Sequence, residues 1–309
     1  MKFDCLRLLQ TLFVLLLSSI AIAQIHENVN VDLVNVYLSA TDSKGHFITN
    51  LKQEELTLKE DGVVQNLSNF TNFALEKSDK LGEKDVPLTL AFVIDTSQSM
   101  GEEISGGQQK IDIVKNAAFR LLDELRSEDS TTLITFNDTP TEVTPLTSDR
   151  KKMEQDLLFQ DVQGGNTAVL DSIYFAMEKI KAKFGRKIIV ICSDGEDTAS
   201  YLKFDEVLSN LIASDVTVLA FGTMALNSSS MKGRFILEKI ADASGGYAFF
   251  PTNLESLNEV MEKLRQGMRS QYSLAYHSTK KPDGSWRKIQ IASKRSGIKL
   301  RYREGYYAK

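Results

Sequence analysis

Between Pro87 and Met268 short apolar runs alternate with amphipathic segments of helical length, and few folds accept that order. Leu88–Ile94 and Lys187–Cys192 are almost continuously apolar, the pattern of strands covered on both faces. Thr131–Phe136 and Val216–Phe221 read as further strands, Thr141–Leu146 as a short extended piece, and Tyr247–Phe250 as a last short strand. Between them, Ile111, Val114, Ala118, Leu121, Leu122 and Leu125 recur at helical spacing. Leu170, Ile173, Ala176, Met177 and Ile180 do the same within Ala168–Lys183. A short helix carries Met153, Leu157 and Leu158; others span Phe204–Ala213 and Phe235–Ala243. Leu254, Leu257, Val260, Met261, Leu264 and Met268 make a final amphipathic helix. Strands interleaved with helices predict an α/β fold, a doubly wound and mostly parallel sheet over residues 87–268.

The flanks obey a different period. Residues 24–73 are β-rich: Val29, Val31 and Leu33 alternate, then Val34, Val36 and Leu38. The phase slips by one between Leu33 and Val34, which predicts a β-bulge. Asp61-Gly62 between Leu56–Leu58 and Val63-Val64 predicts a hairpin with a two-residue turn. Residues 74–86 are polar and read as a linker. In residues 269–309, three alternating runs around Tyr272–Tyr276, Ile289–Ile291 and Ile298–Tyr302 predict a β-meander. Neither flank buries a core alone, so the two are expected to pack together, with the α/β domain inserted between them or flanked by them.

Residues 1–23 have the form of a secretory signal peptide. Lys2 and Arg7 precede the apolar Leu12–Leu17, and Ala21-Ile-Ala23 matches a cleavage site. The expectation is export, to the periplasm or the exterior. No later segment is long and apolar enough to span a membrane. Once Cys5 leaves with the leader, Cys192 stands alone inside an apolar run and is expected to be a buried core residue. The net charge of -4 gives no support for a nucleic-acid partner.

The chemistry-bearing residues cluster where strands end. Asp95, Ser97 and Ser99 follow the first buried strand in Asp95-Thr-Ser97-Gln-Ser99. Thr167 follows Gly164-Gly-Asn and opens a helix, and Asp194 closes the second buried strand in Ser193-Asp194-Gly195. Two buried strands that each end in an aspartate are expected to be neighbours, about 4.8 Å apart. Carboxylates that close repel one another unless a cation or a proton stands between them. The companions are hydroxyls, with no His or Cys, and hard oxygen donors select Mg²⁺, Ca²⁺ or Mn²⁺ over Zn²⁺.

These motifs resemble the metal-ion-dependent adhesion site of the von Willebrand factor type A domain. The flanks, Leu51–Phe73 and Arg301-Tyr-Arg-Glu-Gly305-Tyr, resemble a secreted bacterial subfamily of type A proteins first noted in acidobacteria. The resemblance implies that Ser97, Ser99 and Thr167 bind the metal directly. It implies that Asp95 and Asp194 act through water or as acceptors that orient those hydroxyls. It further implies a protein partner supplying an acidic side chain, in adhesion or assembly and not in turnover. The glycine-rich stretch Gly101–Gly107 departs from the family at the rim of the site.

Two other functions compete. A metal-assisted hydrolase is disfavoured, because His26, His46 and His277 all lie outside residues 87–268 and no G-x-S-x-G elbow is present. A structural envelope module would use the metal only to stabilise the fold.

Overall fold

The computed structural model describes residues 33–73, 86–104, 107–223, 231–251 and 254–308. Residues 1–32 and 74–85, and with them the signal peptide and nearly all of the linker, lie outside the described residues. The strands are β1 (Leu33–Thr41), β2 (Leu56–Glu60), β3 (Val63–Val64), β4 (Leu67–Asn72) and β5 (Leu88–Asp95). Next come α1 (Lys110–Leu122), β6 (Ser130–Phe136), β7 (Pro140–Thr147), α2 (Arg150–Leu158) and α3 (Val169–Ile180). They are followed by β8 (Arg186–Ser193), α4 (Phe204–Ala213), β9 (Val216–Gly222), α5 (Met231–Ala243), β10 (Tyr247–Phe249) and α6 (Leu254–Arg269). The described chain ends with β11 (Gln271–His277), β12 (Trp286–Ser293), β13 (Lys299–Tyr302) and β14 (Gly305–Tyr307).

One six-stranded sheet has the order β10-β9-β8-β5-β6-β7 and is parallel except for β7, the antiparallel edge. Its four inner strands, β5, β6, β8 and β9, are buried on both faces because successive side chains point to opposite sides and both sides are covered. Leu90, Phe92 and Ile94 pack with α1, α2 and α6, through Ile111, Val114, Met153, Leu157 and Leu264. Ala91 and Val93 pack on the other side with α3, α4 and α5, through Ile173, Leu211 and Leu237. This is the mostly parallel, doubly wound sheet that the alternation predicts. Among the described helices none is long and apolar enough to cross a membrane.

The chain runs outward from β5 in two directions. It goes to β6 and β7 on one side, and to β8, β9 and β10 on the other. The crevice at the carboxyl ends of β5 and β8 is therefore the switch point of the sheet, where open α/β folds bind their ligands. Val93 pairs with Ile191 and Ile94 with Cys192, so the two strand-ending aspartates leave neighbouring strands at nearly one level.

The remaining strands build two four-stranded sheets, β13-β1-β11-β4 and β14-β12-β2-β3. Val36, Leu38, Leu58, Tyr272, Leu274, Ile289 and Ile291 form one core between them. The three C-terminal runs do not form a meander. β11 pairs with β1 and β4, β12 pairs with β2 and β14, and β13 pairs with β1. Consecutive strands part because each apolar face finds its cover on N-terminal strands, and Tyr302 reaches across from β13 to β12. Its hydroxyl accepts from Ile291 N at 2.9 Å where β13 leaves β12. The bulge expected between Leu33 and Val34 is also absent, since Leu33 and Val34 pair in register with His277 and Tyr276. The shift lies instead between β11 and β4, at Ala275/Tyr276. The Asp61-Gly62 hairpin forms as expected, with both residues at positive φ.

A buried carboxylate joins the two small sheets. Glu60 in β2 has no exposed surface. It accepts from Tyr276 Oη at 2.7 Å, Tyr306 Oη at 2.8 Å and Ser278 Oγ at 2.6 Å. Burial, reinforced by Glu60, pushes the Tyr306 hydroxyl up to about 12, so it remains a donor. Removing one donor leaves a buried acceptor short of a partner, which costs about 1–3 kcal/mol. Tyr276→Phe is expected to lower the unfolding free energy by that amount in urea denaturation at pH 7. An unchanged midpoint would show that this contact does not hold the sheets.

Candidate metal centre

Asp95 is the last residue of β5 and is fully buried. Its Oδ1 accepts from Ser97 N at 2.9 Å and its Oδ2 accepts from Ser193 Oγ at 2.6 Å. Both carboxylate oxygens are thus engaged by the loop that follows β5 and by the last residue of β8. Ser193 Oγ accepts in turn from Gly195 N at 3.0 Å, which sets the course of the Asp194 turn. Asp194 Oδ1 accepts from Glu196 N at 3.2 Å. Gly195 has φ +78°, and a Cβ there would stand 2.4 Å from Gly233 O in the first turn of α5. Only glycine lets the Asp194 turn approach that helix so closely.

Ser97 and Ser99 lie on a 3₁₀ turn, Gln98–Gly101, closed by Met100 N to Ser97 O at 3.1 Å. Met100 is fully buried and anchors the turn to the core. The two serine hydroxyls stand 3.4 Å apart. Oxygens sharing one Mg²⁺ or Ca²⁺ at adjacent positions stand roughly 2.9–3.7 Å apart, given the bond lengths of those ions. Thr167 is 7% exposed and sits in the loop before α3. That loop is tied on both sides. Gln163 N and Gly164 N donate to Thr96 O, at 2.8 and 3.2 Å. Thr167 N donates to Thr198 Oγ1 at 3.0 Å, and Thr198 N returns to Thr167 O at 2.9 Å. The three loops carrying Asp95, Thr167 and Asp194 are therefore cross-linked by hydrogen bonds at one edge of the sheet.

Three contributors escape a reading of the sequence for charged ligands. Ser193 fixes Asp95 across the strand pair. Thr96 holds the loop to β6 by donating from N and Oγ1 to Phe136 O, at 2.8 and 3.0 Å. Thr198 fastens the Thr167 loop. The available signal is only a hydroxyl residue at the end of a buried strand or within its loop. Among the described residues no three His, Cys, Asp or Glu side chains converge at metal-ligand spacing. A centre at this edge is therefore led by hydroxyls. The donors are hard, two carboxylates adjoin them, and the serine spacing suits one coordination shell. These residues fit a divalent cation. Cys192, one residue short of the edge, is buried and its thiol is pushed up to about 12 by burial, so it adds no soft ligand.

Burial pushes the Asp95 carboxyl up to about 6, the hydrogen bonds from Ser193 and Ser97 oppose the rise, and repulsion from Asp194 adds to it. A proton or a cation relieves the same buried charge.

A doubly wound sheet with an oxygen-lined switch point belongs to the class of α/β folds that present ligands at the carboxyl ends of their strands. The von Willebrand factor type A domain model matches residues 89–263, and the chain belongs to that family. No curated protein is significantly similar in sequence. Solved structures that resemble the chain include the following. A structure of proximal thread matrix protein 1 from the mussel byssus, with a zinc-occupied MIDAS motif, is 18% identical at a TM-score of 0.52. The match covers 62% of this chain and 47% of that one. The PilB minor pilin from Streptococcus sanguinis is 13% identical at a TM-score of 0.51, over 62% of this chain and 63% of that one. An aerotolerance-related membrane protein from Bacteroides fragilis is 17% identical at a TM-score of 0.49, over 59% of this chain and 98% of that one.

The raised Asp95 group has a defined sign. Its folded value lies above the unfolded one, so its stabilising contribution is present below pH ~4 and is lost as pH rises through about 6. In chelator, wild type is expected to lose on the order of 2 kcal/mol between pH 4 and 7 relative to Asp95→Asn, read by urea denaturation. Parallel profiles for the two proteins would contradict a buried, raised carboxyl.

Proposed function

We propose that this chain is an exported protein-binding module that uses a divalent cation to engage a partner's carboxylate. The observation that carries the reading is the set of cross-linked loops at the β5/β8 switch point. There Asp95 is held by Ser193 and Ser97 while the Ser97 and Ser99 hydroxyls converge. In this reading Ser97, Ser99 and Thr167 hold the cation through their hydroxyls. Asp95 and Asp194 orient those hydroxyls and bound water as acceptors. A bound cation supplies an electron-poor centre with one exchangeable position, which a carboxylate from another protein can take. Mg²⁺ is the first candidate, with Ca²⁺ and Mn²⁺ as alternatives. Zinc in the MIDAS motif of proximal thread matrix protein 1 supports divalent binding at such an edge. The type A family and the hydroxyl-led donor set favour binding over turnover. Ala21-Ile-Ala23 and the apolar run before it support export, to the periplasm or the exterior.

The hydroxyls do the selecting in this account. Few anionic ligands leave the cation's charge largely uncompensated, which strengthens its attraction for a partner's acid. Calorimetry with Mg²⁺, Ca²⁺, Mn²⁺ and Zn²⁺ is expected to give one site per chain in wild type. Ser99→Ala and Thr167→Ala are expected to weaken it about tenfold or more. Affinity capture from the native envelope or culture fluid is expected to retain a partner with Mg²⁺, and to lose it in EDTA and in Asp95→Ala. Identical capture in all arms would sink the metal-bridged reading.

A further inference from the structure

The loops around the candidate centre carry charge of one sign. Glu102 and Glu103 follow β5, Asp138 follows β6, Asp161 precedes Thr167, and Glu196 and Asp197 follow β8. All are exposed except the half-buried Asp197. Residues 98–104, 107–109, 137–139, 159–168 and 195–202 contain no lysine, arginine or histidine. Two cations of α1 adjoin them and are already occupied: Lys110, with a side chain only 1% exposed, has its Nζ 2.6 Å from Glu102 Oε2, and Lys115 donates to Gln160 O at 3.0 Å. The accessible cations of this edge stand to one side. Lys232 and Arg234 lie in the first turn of α5, where Gly233 abuts Asp194 and Gly195. Arg234 is occupied there, with its Nε 2.9 Å from Glu238 Oε1 and its guanidinium over the Phe250 ring. Lys203 lies at the start of α4. The loops after β5 and β6 and the loop before α3 are thus acidic, and the accessible basic residues gather on the β8 side, at the starts of α4 and α5.

That distribution restricts what can approach. A carboxylate is attracted by a central cation but repelled by the surrounding ring, over about 10 Å at 0.1 M ionic strength. A uniformly acidic partner meets like charge at the loops after β5 and β6 and before α3. A carboxylate that arrives between basic residues meets it with complementary charge. Two aromatic side chains in the same loops favour the same neighbours. Phe159 is 80% exposed and Tyr201 89% exposed. Exposed rings accept lysine and arginine over their faces and serve as anchors at interfaces.

We propose that the partner's acidic residue lies between lysines or arginines, so that its carboxylate reaches the centre while its basic neighbours engage the acidic ring and the rings of Phe159 and Tyr201. This inference rests on the metal-bridged reading. It adds that an acidic side chain alone is not the recognised element.

The test uses short fluorescent peptides with one central Asp, flanked on both sides by pairs of Lys, Ser or Glu, and matching peptides with central Asn. Binding to the full chain is read by anisotropy with Mg²⁺ and with EDTA, and Mg²⁺ binding alone is read by calorimetry. The lysine-flanked Asp peptide is expected to bind about tenfold or more tighter than the serine-flanked one, and the glutamate-flanked one least. Central Asn or EDTA is expected to abolish the advantage. Raising salt is expected to shrink it. A Glu103→Lys, Asp161→Lys, Glu196→Lys variant is expected to reverse the order of the flanks. Mg²⁺-dependent binding that ignores the flanks, or no peptide binding while Mg²⁺ binds, overturns the inference and leaves the metal site standing. Lysine-flanked peptides that bind equally with central Asn or in EDTA also overturn it. Absence of Mg²⁺ binding removes the reading on which it rests.

Discussion

Asp95 is a charged group at the end of a strand with no exposed surface, and the local structure is arranged around it. An unpaired carboxylate in that position is strongly disfavoured, and a few neutral donors soften the cost without cancelling it. The hydroxyl of Ser193 and the amide of Ser97 occupy its two oxygens, which ties the β5 loop to the end of β8. Burial keeps the group from being comfortable as an anion on its own, and the nearby Asp194 adds to this. A proton or a cation relieves a buried carboxylate placed in this way. The neighbouring loops offer hydroxyls and no competing base.

The sheet explains why that arrangement can persist. β5 and β8 are the central pair of six strands, packed on both faces by apolar clusters. Their carboxyl ends cannot drift apart to relieve repulsion, because the parallel ladder from Leu88 to Ile94 fixes the register. The loops are less constrained by sequence but are fastened to one another through Thr96, Thr167 and Thr198. Rigid strands and cross-linked loops are what a binding centre needs to hold its ligands before anything arrives.

The two small sheets stand on a different logic. Strands from the two ends of the described chain pair with one another, so the six-stranded sheet begins and ends on a common β platform. Arg186, at the start of β8, donates to Met268 O at 2.7 Å and lies over the Phe73 ring. The amino ends of the central strands thus meet the platform while their carboxyl ends bear the candidate centre. The two regions occupy opposite ends of the same strands.

What the sequence determined by itself was periodic. Apolar runs such as Leu88–Ile94 and Lys187–Cys192 require cover on both faces, so the interleaved helices and the parallel sheet follow from residue order. The aspartates at the strand ends then share one edge, because parallel strands all finish on the same side. Asp61-Gly62 likewise specifies its turn through local backbone preference. What only the tertiary structure decided was partnership. Alternating residues in β11, β12 and β13 announce strands but carry no instruction about which strand lies beside them. Their pairing with β1, β2 and β4 was settled by which apolar faces remained uncovered. Ser193 gives no local sign of its bond to Asp95, and Met100 none of its burial beneath the serine turn. Those contacts join residues far apart in the chain, and they exist only once the sheet has set β5 against β8.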